Sequence, residues 1–328
     1  MKPSPMPGID FRTFEGPATG PHLLITAGVH GDEFEPIAAV RQLIQAFDNP
    51  AAANRLLNGL RGTLTLVPCV NRPAFVRGTR CADDGLDLAR TCPGRVGGSV
   101  TEGIAAELSD LIRAADYYID LHTGGTEFTI FPLAGYMLHP DAAVLAAQRR
   151  MAQAFNLPVV WGTTPHLEGR SLSVARDAGV PAIYTEFGGS ATCSIQGIQA
   201  CIDGCLSVMV ELNMIDRSQP ERRVTWTVED SAPQSGHLQI CHPSPITGFF
   251  QPVVQLGESI NRGQPIGHVW PIEAPSEVAH EIPAEHTGIV LMLRTFPRIR
   301  RGQSVGVVLP CEPLDNLNRT DRQSPESG

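Results

Sequence analysis

The amino-acid sequence predicts an α/β fold, a mostly parallel or mixed sheet with helices on both faces, followed by a small C-terminal all-β domain. Two observations carry this. Short apolar runs alternate with helix-periodic stretches as far as residue 216, the pattern of a sheet covered on both faces. Beyond Pro220 the texture changes to short apolar or alternating runs punctuated by Gly and Pro, with no helical periodicity. The expected organisation is a domain of residues 1–216, a β domain of residues 217–312 that caps it, and a disordered polar tail over 313–328.

Taken in order, residues 22–27 form an apolar run bounded by Gly-Pro and Gly, which reads as a buried strand. Ile37, Val40, Leu43, Ile44 and Phe47 fall at three- and four-residue steps and predict a helix over 35–47. A second strand spans 63–68. Residues 71–98 show little periodicity and carry Arg72, Arg77, Arg80, Arg90 and Arg95 among Asp83, Asp84 and Asp87; so long a loop inside a compact domain is expected to be functional. Ser99-Val100-Thr101-Glu102 has the form of a capping box and opens a helix. A strand over 117–121 ends at His122 and a Gly-Gly turn. Helices over 141–155 and 169–178 flank a short strand at 158–161. A strand over 180–185 ends at Glu186, and a helix over 195–214 closes the domain. The later β runs lie at 225–228, 248–254, 266–270, 287–293 and 306–308.

Composition narrows the function. The 328 residues are 42% hydrophobic and 18% charged, with no run near the roughly 18 apolar residues of a membrane span and no apolar secretory leader, so the expected location is the cytoplasm. A net charge of -9 argues against a nucleic-acid partner. The eight cysteines form no CxxC pair, so neither a thiolate zinc site nor a disulfide framework is signalled. Lys2 is the sole lysine, which removes Schiff-base chemistry, a P-loop lysine and a lipoyl or biotinyl attachment site. The many arginines suit bidentate grips on carboxylates.

The chemistry gathers at strand ends. His30 and Glu33 sit three apart in Gly28-Val29-His30-Gly31-Asp32-Glu33, between a strand and a helix, where ligands bind in open α/β sheets. His122 and Glu186 stand at equivalent ends. His30, Glu33 and His122 offer three N/O ligands with a fourth position open, the pattern of a catalytic zinc, and Glu186 would be the base. Asp120, two residues before His122, is expected to face the other side of its strand and to be structural. Arg77 reads as an ion pair holding the loop, and Arg72 either does the same or lines the pocket with Asn71. The remaining histidines read as ordinary.

With these blocks in place, the sequence resembles the succinylglutamate desuccinylase and aspartoacylase family, relatives of the zinc carboxypeptidases. The resemblance also rests on Asn71-Arg72-Pro73-Ala74-Phe75, Asp87-Leu88-Ala89-Arg90, Asp120-Leu121-His122-Thr123-Gly124 and Thr185-Glu186-Phe187-Gly188, and it spans the chain, C-terminal β domain included. It implies one zinc ion per chain on His30, Glu33 and His122, Glu186 as general base and proton donor, Arg80 on the scissile carbonyl, and Arg90 on the substrate carboxylate. The implied activity is deacylation of an N-acyl amino acid, a small-molecule substrate, and a homo-oligomer is compatible with it. Two departures stand out. Ala89 occupies the place where the family usually has Asn, and no tyrosine lies beyond Tyr184 to close over substrate as in aspartoacylases. Residues 281–288 are the expected closing loop. The β domain looks nearest the bacterial branch that includes N-acetyl-diaminobutyrate deacetylases. Competing readings are a metallocarboxypeptidase acting on short peptides and a non-catalytic small-molecule-binding relative.

Overall fold

The computed structural model describes residues 8–49, 59–273 and 278–311, so the expected tail over 313–328 lies outside the described residues. Strands β1 (Arg12–Glu15) and β2 (Ala18–Ala27) lead into helix α1 (Phe34–Asp48), then β3 (Arg61–Val67), α2 (Arg72–Arg77), α3 (Val100–Arg113), β4 (Tyr117–His122), β5 (Phe128–Met137), α4 (Ala142–Phe155), β6 (Val159–Thr163), α5 (Ser171–Ala178), β7 (Ala182–Gly189) and α6 (Ile195–Glu211). The chain continues as β8 (Trp226–Glu229), β9 (Gly248–Pro252), β10 (Ser259–Ile260), β11 (Pro265–Trp270), β12 (His280–Pro283), β13 (Gly288–Arg294), β14 (Arg298–Ile299) and β15 (Gly306–Leu309).

The main sheet runs β1-β3-β2-β4-β7-β5-β13-β10, with β6 on β5 and β8, and β15 on β13. Its centre, β3-β2-β4-β7, is parallel. The side-chain period of two explains why β2 reads as an unbroken apolar run. Leu23 and Ile25 pack with Val40, Leu43 and Val208 of α1 and α6 on one face. Leu24 packs with Ile104, Leu108 and Leu172 of α3 and α5 on the other. Helices therefore cover both faces, as the alternation predicted.

Strands β1, β10, β12 and β14 have no counterpart in the sequence reading, and two longer stretches also differ from expectation. Strand β5 has no counterpart in the sequence reading, because Pro132 and Gly135 break its pattern. The pairing of β5 with β7 shifts register between Ile130 and Leu133, which absorbs the proline, and Gly135 leaves room for the Tyr184 ring. The stretch 71–98 is not structureless. It holds α2 and a 3-10 turn at Leu88–Arg90, each started by a side-chain acceptor, Asn71 on the Ala74 N–H and Asp87 on the Ala89 N–H. Elements this short leave no periodic trace.

The C-terminal residues build an antiparallel sheet ordered β12-β11-β9-β14. They also extend the main sheet, since β13 pairs antiparallel with β5, Met292 opposite Ile130. That seam brings C-terminal side chains to the edge where β4 and β7 end.

Candidate active site

Register builds the site. In the parallel β4–β7 pair, Asp120 stands opposite Tyr184 and His122 opposite Glu186, while Thr26 of β2 stands opposite Asp120. Residues two apart on a strand share a face, so all five project to one side. This corrects the expectation for Asp120, which faces the same side as His122 and touches it: His122 Nε2 is 3.1 Å from Asp120 Oδ2. Thr26 donates to Asp120 Oδ1 at 2.8 Å, and Ser171 donates to Oδ2. Burial works against this charge, yet His122 facing it holds Asp120 below the usual carboxylate range.

His30 and Glu33 lie in the turn after β2. Gly31 passes so close to the backbone of Ala74 that a Cβ would collide with it. His30 Nδ1 is 2.7 Å from Glu33 Oε1, and His122 Nδ1 is 2.9 Å from Glu33 Oε2. Both imidazoles thus turn their Nδ1 atoms to one buried carboxylate. They hold Glu33 well below its usual range although burial opposes this. The outer nitrogens turn to carboxylates of their own, His30 Nε2 to Asp87 Oδ1 at 3.2 Å and His122 Nε2 to Asp120.

His30, Glu33 and His122 each offer one ligand atom, all within 4.8 Å of one another. Two imidazole nitrogens and a carboxylate oxygen, with the outer ring nitrogens fixed by carboxylates, fit zinc or another divalent transition ion.

Glu186 lies beside this cluster. Burial pushes its carboxyl up to about 8, with His122 and Arg80 opposing the shift and Glu33 reinforcing it. Its Oε2 is buried with no hydrogen-bond partner among the described residues. A cavity of about 490 Å³ opens onto Glu186 and the cluster. Arg80 lines it, with Nε donating to Asp87 Oδ2 at 3.0 Å.

Arg90 also lines the cavity and is joined there by Arg170, which the sequence reading did not single out. Gly169 brings them together. Its left-handed backbone, φ 79°, abuts the Arg90 carbonyl with no room for a Cβ, and its own carbonyl accepts from the Cys92 N–H at 2.9 Å. Burial and the Arg170 charge hold Arg90 down at about 10. Nothing local in the sequence marks Arg170, because its neighbour is distant along the chain.

Other predicted residues lie elsewhere. Asn71 is buried and caps α2, and Arg72 is exposed and pairs with Asp10 at 3.4 Å, so neither lines the cavity. Arg77 pairs with Asp83, as read. Residues 281–288 do not line it either. They include the end of β12, held in the second sheet, and the C-terminal wall comes instead from Leu238, Gln239, Met292 and Phe296.

A three-layered α/β/α fold with a buried His-Glu-His cluster, a carboxyl oxygen without a partner among the described residues beside it and arginines across the cavity defines a site of the hydrolase type. The chain belongs to the succinylglutamate desuccinylase/aspartoacylase family: a sequence model of that family's catalytic domain matches residues 19–212. It is 29% identical over 304 residues to the N-alpha-acetyl-L-2,4-diaminobutyric acid deacetylase of Halomonas elongata, covering 91% of this chain and 84% of the relative. It is similar in structure to the product-bound ectoine utilization protein EutE (DoeB) of Ruegeria pomeroyi, at TM-score 0.80 and 27% identity, covering 91% and 87% of the two chains. A succinylglutamate desuccinylase of Silicibacter sp. TM1040 superposes at TM-score 0.82 with 25% identity, covering 93% and 89%.

Proposed function

We propose that the protein is a zinc-dependent amidohydrolase that removes the acyl group from an N-acylated amino acid in the cytoplasm, with one ion per chain on His30, Glu33 and His122. The observation that carries this reading is the pairing of His122 with Glu186 across β4 and β7, which sets an unsatisfied carboxyl beside a three-ligand cluster. An ion held there would polarise the scissile carbonyl and acidify a water molecule.

The protein's own groups would do the rest. Glu186 takes the proton of the attacking water at Oε2 and delivers it to the departing amine, so that amide and water become carboxylate and amine. Arg80, already aligned by Asp87, donates to the carbonyl oxygen as negative charge grows on it. Arg90 and Arg170 have only neutral acceptors among the described residues and would grip the substrate carboxylate. Residues 217–312 would act as a cap, with Leu238, Met292 and Phe296 closing the cavity.

The Halomonas relative's name supports an N-acetylated diamino acid as one substrate to try. The test is an assay of zinc-loaded protein on N-acetyl-L-2,4-diaminobutyrate, N-acetyl-L-aspartate and N-succinyl-L-glutamate beside short peptides. Turnover of at least one N-acyl amino acid is the expected result. Turnover of peptides alone would replace this reading with a carboxypeptidase.

A further inference from the structure

The cationic side of the cavity holds one more donor, and neither charge nor motif marks it. Arg90 donates through Nη1 to its neighbour Ala89 O at 2.6 Å and through Nη2 to Gln239 Oε1 at 3.1 Å. Arg170 donates through Nη2 to Gly236 O at 3.2 Å. Gly236 and Gln239 belong to one short segment that runs into the 3-10 turn Leu238–Ile240, so a single strap touches both guanidiniums. Ala89 and Gln239 both line the cavity, and Ala89 brings no polar side-chain atom to it.

The orientation of the Gln239 amide is dictated by its partner. A guanidinium has donors and no acceptor, so contact with Arg90 requires Oε1 to face it and turns Nε2 away. Nε2 then carries two N–H groups with no protein acceptor among the described residues. Two guanidiniums and an amide donor whose own acceptor is engaged complement a carboxylate and nothing cationic.

We propose that Gln239 is a substrate-binding residue, its Nε2 donating to the same carboxylate that Arg90 and Arg170 hold, while its Oε1 fixes the plane of Arg90. The proposal rests on the deacylase reading above. It makes acid recognition in this chain depend on a neutral amide supplied from the far side of the sequence.

The experiment compares zinc-loaded wild type with Gln239→Ala and Gln239→Glu. The substrates are the fastest of the three N-acyl amino acids named above and its analogues with each carboxylate replaced by a carboxamide. Loss of one hydrogen bond to a charged acceptor predicts that Gln239→Ala raises KM on the acid about 10- to 100-fold with kcat nearly unchanged, and changes it little on the analogue lacking the recognised carboxylate. The isosteric Gln239→Glu keeps the shape, pairs with Arg90 and raises KM further, which decides the matter if the alanine variant folds poorly. Unchanged KM on the acid, or equal losses on acid and carboxamide, would overturn the role of Gln239 and leave the deacylase reading standing. No turnover of any N-acyl amino acid by wild type would overturn that reading and the proposal with it.

Discussion

At the scale of single residues, Glu186 shows how burial and chemistry pull against each other. Its carboxyl is pushed up to about 8 by burial in the metal-free fold, against an ordinary value of 4.5. The native state then keeps a proton that the unfolded chain has released between those values. Stability of the metal-free protein therefore falls as pH rises through that window. His122, raised well above 6.5 by Asp120 and Glu33 despite burial, adds in the same direction, because its stabilisation is complete below 6.5 and lost as pH rises through its folded value. Denaturant melts of metal-free Glu186→Gln from pH 4.5 to 8 should show a shallower fall than wild type. Identical slopes would mean that Glu186 is not held protonated. The cluster itself was legible, since His30 and Glu33 fall in the turn just after one apolar run and His122 and Glu186 end two others. Asp120 was misjudged although the strand period places it beside His122, and Arg170 left no local signal.

At the scale of elements, the loop from β3 to α3 and the start of α5 are fitted to each other through Gly169. A side chain there would meet the Arg90 carbonyl while sitting in a left-handed conformation, so Gly169→Ala must shift Arg90, Arg170 or both. Steady-state kinetics of Gly169→Ala should show KM for an N-acyl amino acid raised about tenfold or more, with the three metal ligands still loaded. This follows from loss of bidentate grip on a carboxylate, which is worth about 1.5–3 kcal/mol per charged hydrogen bond. Unchanged KM would show that the two arginines do not act as a pair. Elements with clear periodicity, such as α1, α3 and β2, were readable because burial repeats along them. Strand β5 was not, because its proline is tolerated only by a register shift visible in the folded pairing, and α2 was not, because a side-chain cap rather than an apolar face starts it.

At the scale of the whole molecule, the active-site edge is finished by the C-terminal part of the chain. The seam between β5 and β13 is tied by Arg294, which is 2% exposed. It donates to Ser304 O at 2.9 Å and to Glu127 Oε2 at 3.2 Å, and lies 4.6 Å from the Phe128 ring centroid. Glu127 O in turn accepts from the backbone of Thr295 and Phe296, which holds Phe296 at the cavity. Removing the guanidinium leaves the buried Ser304 carbonyl without its donor, while the half-exposed Glu127 carboxylate can turn to water, so Arg294→Ala should cost about 1–3 kcal/mol by denaturant unfolding. A change under about 0.5 kcal/mol would mean that the seam does not depend on it. The change of texture after Pro220 was readable, but not that this β-rich part continues the main sheet, because strand pairing across a seam has no local signature. The central claim is that His30, Glu33 and His122 hold an ion beside a base, Glu186. Metal content and N-acyl amino acid turnover measured together on wild type and Glu186→Gln test it most directly. The account predicts one zinc per chain in both proteins and turnover lower by about two orders of magnitude or more in the variant. Zinc-free wild type, or a Glu186→Gln enzyme as fast as wild type, would contradict it.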